Sequence, residues 1–139
     1  MNNDLLDVLN NTAFITVSTV NEDGSPYATP IGWFAFDGKN IVFDNHSGKN
    51  HSNNLRLDNR CFITIVNTAQ KHSRAVYIQT IATNLEGAEY QKAKKLIEDK
   101  GLKVSDDIAI APIGEIDLEK SQIYELPNKK RFYCYMKQK

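Results

Sequence analysis

Apolar and polar residues alternate with a period of two over much of this chain. In residues 14–20, Ile15 and Val17 fall on one face and Phe14, Thr16 and Ser18 on the other, which predicts a strand. Asp23-Gly24 is a hairpin signal. Residues 27–36 continue as a second strand, with Ala28, Pro30, Gly32, Phe34 and Phe36 on one face and Thr29, Ile31, Trp33 and Ala35 on the other. A proline and a glycine two apart weaken a strand. They predict either an edge or bulge, or a Gly32 that admits a flat ligand or a second backbone. After a turn over residues 37–40, residues 41–44 predict a third strand. Residues 60–66 are apolar on both faces and predict a buried strand. Residues 74–84, 108–118 and 131–136 alternate as further strands.

Helical spacing is rarer. Leu5, Leu6, Val8 and Leu9 fit a short amphipathic helix that Asn2 or Asn3 can cap. Residues 49–57 predict a surface helix anchored through Leu55 and Leu57. Residues 85–100 predict a longer one, with Tyr90, Ala93, Leu96 and Ile97 on its apolar face, Asn84 as its cap and Gly101 as its stop. Six or seven strands joined by short turns, with one long helix inserted late, point to an antiparallel barrel or strongly curled sheet with peripheral helices. Without repeats or linkers, residues 1–139 read as a single domain.

Composition narrows the function classes. Apolar and charged residues make up 41% and 24%, as in ordinary globular proteins. Seventeen basic and seventeen acidic residues cancel, so no general attraction to nucleic acid or to an anionic membrane is expected. Cys61 and Cys134 lie far apart in apolar runs and predict buried free thiols in a reducing compartment. The first residues lack the apolar run of a secretory signal, and no stretch reaches membrane-spanning length, so a cytoplasmic location is expected.

The chemistry concentrates in residues 41–55. A short apolar strand runs into Asp44-Asn45-His46-Ser47-Gly48-Lys49 and then into the predicted surface helix. Small polar residues, a glycine and a lysine at a strand-to-helix junction present backbone N–H groups, hydroxyls and a cation to a phosphate. His46 and His51 are five apart, without the spacing of a helical metal pair, so solvated or phosphate-adjacent histidines are expected there and at His72. The tyrosines at 124, 133 and 135 fit a core or an interface, and Lys92, Lys94 and Lys95 a solvated helix face.

Several motifs in order carry a resemblance: Ala13-Phe-Ile-Thr-Val-Ser with Asp23-Gly-Ser-Pro, Ala28-Thr-Pro-Ile, Ile41-Val-Phe through Ser47-Gly-Lys49, Asn54-Leu-Arg-Leu-Asp-Asn-Arg60, and residues 74–82 before the helix. Over residues 4–120 the chain resembles the pyridoxamine 5'-phosphate oxidase-like family of flavin mononucleotide (FMN)-binding split β-barrels. The resemblance implies a mainly β fold, a six-stranded antiparallel split barrel. It also implies a homodimer with FMN in a cleft at the subunit interface and a small-molecule substrate. It implies that Asn45, Ser47 and Lys49 hold the phosphate, and that Thr29, Pro30, Ile31, Gly32 and Trp33 carry the isoalloxazine ring.

The chain departs from the family's pattern at several positions. Basic residues are absent from Ala28 to Trp33, Gly48 stands where the family has arginine, and Ala75 where it has a ring-reading glutamine. The last eight residues lack the family's tryptophan- and arginine-rich substrate segment. Oxidation of pyridoxamine phosphate itself is therefore not expected. Two functions fit: an FMN-dependent oxidoreductase acting on another small substrate, or a non-catalytic dimeric module that binds flavin, haem or another flat ligand. The sequence assigns no catalytic acid or base.

Overall fold

The computed structural model describes residues 8–67, 73–113, 122–125 and 131–137 of the chain. Residues 8–11 are helical. Then follow β1 (Ile15–Val20), β2 (Pro26–Ile31), β3 (Phe34–Phe36), β4 (Asn40–Asp44), α1 (Asn50–Leu57), β5 (Arg60–Asn67), β6 (Ser73–Ile81), β7 (Thr83–Asn84), α2 (Gly87–Glu98), β8 (Ile108–Pro112), β9 (Gln122–Glu125) and β10 (Arg131–Lys137). The strands form a six-stranded sheet, ordered β2-β1-β5-β6-β10-β9, and a four-stranded sheet, ordered β3-β4-β8-β7. The fold is mainly β.

Two expected strands prove to be broken, and both breaks move the chain from one sheet to the other. The expected strand at 27–36 pairs with β1 as far as Ile31, turns at Gly32 and Trp33, and resumes against β4. The expected strand at 74–84 leaves β5 at Ile81 and resumes against β8. Ala82 is the pivot of the second break, its N–H donating to the Asn59 carbonyl at 2.9 Å. The edge reading of Pro30 holds, because β2 ends the six-stranded sheet. More strands are present than the six or seven expected, because each break makes two strands from one and β9 is an addition.

The antiparallel expectation needs one correction. β10 joins β6 in parallel, Phe132 opposite Ser73 and Lys137 opposite Ile78, while every other described pair is antiparallel. Parallel pairing needs a long crossover, which the chain between Ile81 and Arg131 supplies.

The core lies between the sheets. Ile15, Val17, Ile63, Ile65 and Ile78 from the larger sheet meet Phe34, Ile41 and Phe43 from the smaller, all essentially inaccessible to water. Each contributes about 1.5–3 kcal/mol by burial. The strand covered on both faces is β4, not β5 as expected. Ile41 and Phe43 face the main core, while Val42 packs with Ala35, Ala93 and Ile97 beneath α2. β5 alternates instead: Cys61, Ile63 and Ile65 point inward, and Phe62 and Val66 remain exposed beside Ile81 of the neighbouring strand. The helices differ less from expectation. Leu55 anchors α1, Leu57 is exposed, and Asn54 Nδ2 donates to Thr19 Oγ1 at 3.1 Å and Asn21 Oδ1 at 2.9 Å. Glu86, rather than Asn84, occupies the N-cap of α2. No described helix is long and apolar enough to cross a membrane.

Candidate functional site

The β2–β3 corner and the turn after β4 stand against each other because their backbones are joined. The Asp44 N–H donates to the Trp33 carbonyl at 2.8 Å. One residue on, Lys100 Nζ donates to the Phe34 carbonyl at 2.9 Å and lies 4.0 Å from the centre of the Phe34 ring. Partial burial lowers the Lys100 pKa. The corner is thus held from both sides, and Trp33 keeps 41% of its surface exposed.

The turn itself is built by its own polar groups. The Asn45 N–H donates to the Asp107 carbonyl at 2.7 Å, and the Ser47 N–H to Asp106 Oδ2 at 3.1 Å. Gly48 has φ +84, a conformation that side chains strain to adopt. Lys49 then occupies the N-cap of α1 with no side-chain capping bond. The first-turn N–H groups of α1 therefore begin without a side-chain acceptor. Lys49 forms no ion pair among the described residues.

Between corner and turn lies a cavity of about 320 Å³. Thr29, Pro30, Ile31, Gly32 and Trp33 line one side, and Lys49 lines the other. Six of the eight expected site residues therefore meet. Asn45 and Ser47 do not join them: they border a second hollow of about 410 Å³, which shares Gly48 with the first. Asn45 is buried, its Nδ2 donating to Asn84 Oδ1 at 2.7 Å. A Cβ at Gly32 would approach only the Ala13 carbonyl, at 3.8 Å, so its side of the cavity is open rather than pressed by backbone.

The cavity also brings in His46 and His51, expected from the sequence as solvated or phosphate-adjacent; both line it. The His46 ring stands edge-on to Trp33, centroids 6.3 Å apart. Its Nδ1 lies 3.5 Å from Asp44 Oδ1 and 3.9 Å from Asp106 Oδ2. His51 is buried rather than solvated, and its Nε2 has no hydrogen-bond partner. Burial, and after it the neighbouring His46 charge, lowers the His51 pKa. Asp44 is also buried, with Oδ1 unpartnered. Burial raises its pKa above 3.8; Asp106 and Asp107 add repulsion, and His46 offsets part of it. The signal for Asp44 was a carboxylate closing the apolar run Ile41-Val42-Phe43.

Elsewhere, burial pushes the Cys61 thiol up to about 12, so it is an inert core group as expected. His72 and the side chains of Tyr124, Tyr133, Tyr135 and Cys134 lie outside the described residues. Among the described residues, no group of three or more His, Cys, Asp or Glu side chains is arranged to hold a metal ion.

Comparison with known proteins places this architecture. The family profile described as pyridoxamine 5'-phosphate oxidase matches residues 1–116. The chain belongs to the pyridoxamine 5'-phosphate oxidase-like family. No curated protein matches by sequence. Solved structures that share the fold include HupZ of Group A Streptococcus, with a TM-score of 0.67 at 21% identity over 81% of this chain and 89% of that one. HutZ, the heme storage protein of Vibrio cholerae, aligns with a TM-score of 0.64 at 12% identity over 81% and 88%. An F420 reductase aligns at 0.55 and 16% identity over 78% and 92%. At these identities the likeness shows the fold alone.

The buried Asp44 carboxylate yields a pH-dependent prediction. Its folded pKa is raised, so below pH 3.8 it is protonated in both states, and stability is lost as pH rises through the folded value. Asp44→Asn should therefore resist urea better than the wild type at pH 7, with the advantage vanishing as pH falls below 3.8. A variant midpoint at pH 7 equal to or below the wild-type one would contradict the assignment.

Proposed function

We propose that the chain is a homodimeric FMN-binding split-barrel flavoprotein that passes electrons between the flavin and a small substrate. The observation that carries this reading is the single cavity lined both by the β2–β3 corner and by the uncapped start of α1 with Lys49. A helix N-terminus and a free lysine together suit a phosphate dianion. β2, as the end of its sheet, has one row of backbone groups unpaired among the described residues, available to read the polar edge of a flat ring. Trp33 and Ile31 supply apolar surface for the rest of that ring. These residues fit FMN. When bound, the flavin supplies the redox chemistry; the chain binds, orients and excludes water.

A volume near 320 Å³ is at the lower end for a cofactor pocket of about 300–1,000 Å³. A second subunit would complete it. The occupant of the exposed apolar face at Phe62, Val66 and Ile81 is taken to be that second copy. Sedimentation of Phe62→Asp protein should then show monomer where the wild type is dimeric. An unchanged dimer would remove this face from the interface.

Oxidation of pyridoxamine phosphate is not part of the proposal, because Ala28 to Trp33 carry no basic residue. A second reading, a non-catalytic module for flavin, haem or another flat ligand, draws on His46 within the cavity and on the heme storage protein among the structural neighbours. A Soret band would mark haem, and a bound flavin that no nicotinamide donor reduces would mark the non-catalytic flavin module.

The phosphate assignment makes its own prediction. Lys49→Ala should weaken FMN binding by about 1.5–3 kcal/mol, the range for a hydrogen bond to a charged group, and leave riboflavin binding nearly unchanged. Equal losses for both ligands, measured by flavin fluorescence, would contradict this placement.

A further inference from the structure

We propose that His46 is the proton-donating residue of the cavity and that Asp44 is its positioning residue. The inference rests on the flavin reading above. His46 is the one lining side chain that stands between two carboxylates and beside Trp33. The Asp106 carboxylate is fixed in place, accepting the Ser47 N–H at 3.1 Å and the Asp107 N–H at 2.8 Å, while the Asp44 carboxylate is confined by burial at the end of a strand whose backbone is tied to the Trp33 carbonyl.

The unpartnered Asp44 Oδ1 sets the direction of the ring. A buried acceptor without a donor is costly, and His46 Nδ1 stands 3.5 Å from it, so a proton on Nδ1 would serve it. A proton kept on Nδ1 leaves Nε2 as the nitrogen that serves the cavity. Nε2 makes no hydrogen bond among the described residues, and 46% of the side chain is exposed, so it can recover a proton from water. The other groups around it are His51 from α1, Asp107 before β8, Lys49 next along the turn, and Tyr90 of α2, whose hydroxyl donates to the Asp106 carbonyl at 2.7 Å. Burial keeps His51 from taking the same role, because its Nε2 is closed off from water.

With a reduced nicotinamide as donor, both electrons would come to a bound flavin as a hydride and the nicotinamide would be oxidised. Full reduction would take one further proton. His46 in its doubly protonated form would supply it by breaking its Nε2–H bond, and the neutral ring left behind, still protonated on Nδ1, would take another proton from solvent.

Two readouts test the proposal. Nitrogen-15 NMR of the ligand-free protein should find neutral His46 protonated on Nδ1, with that preference weakened in Asp44→Asn; a neutral ring protonated on Nε2 would overturn the proposal. In stopped flow, His46→Gln should bind FMN within about twofold of the wild type and be reduced about 100-fold more slowly, with a flattened pH profile. Reduction at the wild-type rate with an unchanged profile would overturn the role of His46 alone, as would a bound flavin that no reduced nicotinamide reduces. A wild type that binds no FMN would overturn the flavin reading and this role together.

Discussion

The hydrogen bond from the Asp44 N–H to the Trp33 carbonyl, 2.8 Å long, is the join on which the site depends. It ties the end of β4 to the point where the chain leaves the larger sheet for the smaller. It extends the β3–β4 pairing, in which Phe34 lies opposite Phe43, up to the corner itself, and so helps to set the distance from the corner to the start of α1. Lys100 holds the next carbonyl from the opposite side, so the corner is positioned by two elements distant in sequence. β4 can serve as the fixed point because both its faces are buried, one by the larger sheet and one by α2.

The same arrangement creates a polar tension. The strand that anchors the corner ends in a buried carboxylate, and the turn that follows leaves Asp44 Oδ1, Asn45 Oδ1 and His51 Nε2 without partners. Unmet buried polar atoms are rare in folded proteins and tend to gather where function needs them. Here three lie within eight consecutive residues, from the end of β4 to the start of α1, with His51 lining the cavity and Asn45 its neighbouring hollow. Stability and site chemistry thus pull in opposite directions at Asp44.

Much of this was legible in the sequence, and the limits have physical causes. Strand β1 was readable because Ile15 and Val17 alternate with polar residues on a half-buried face. The gathering of Thr29 to Trp33 with Lys49 followed from a motif order that the fold respects. The corner at Gly32 and Trp33 was only hinted at, because apolar alternation runs through it without a break. That Asn45 and Ser47 border the adjoining hollow was not readable, because the Asn45 side chain bonds Asn84 and the Ser47 N–H bonds Asp106, both far along the chain. β5 misled because Phe62 and Val66 read as core while facing outward, uncovered among the described residues. The pairing of His46 with Asp44 was hidden because two residues apart in a strand-to-turn passage says nothing about where the side chains meet.

The central claim is that the cavity between the β2–β3 corner and the start of α1 is a flavin site. The most direct measurement is the visible spectrum of the purified protein before and after addition of FMN, followed by gel filtration. Flavin bands that travel with the protein are the predicted result. A protein that takes up no FMN, or that gains a Soret band from haem and leaves FMN free, would contradict the account.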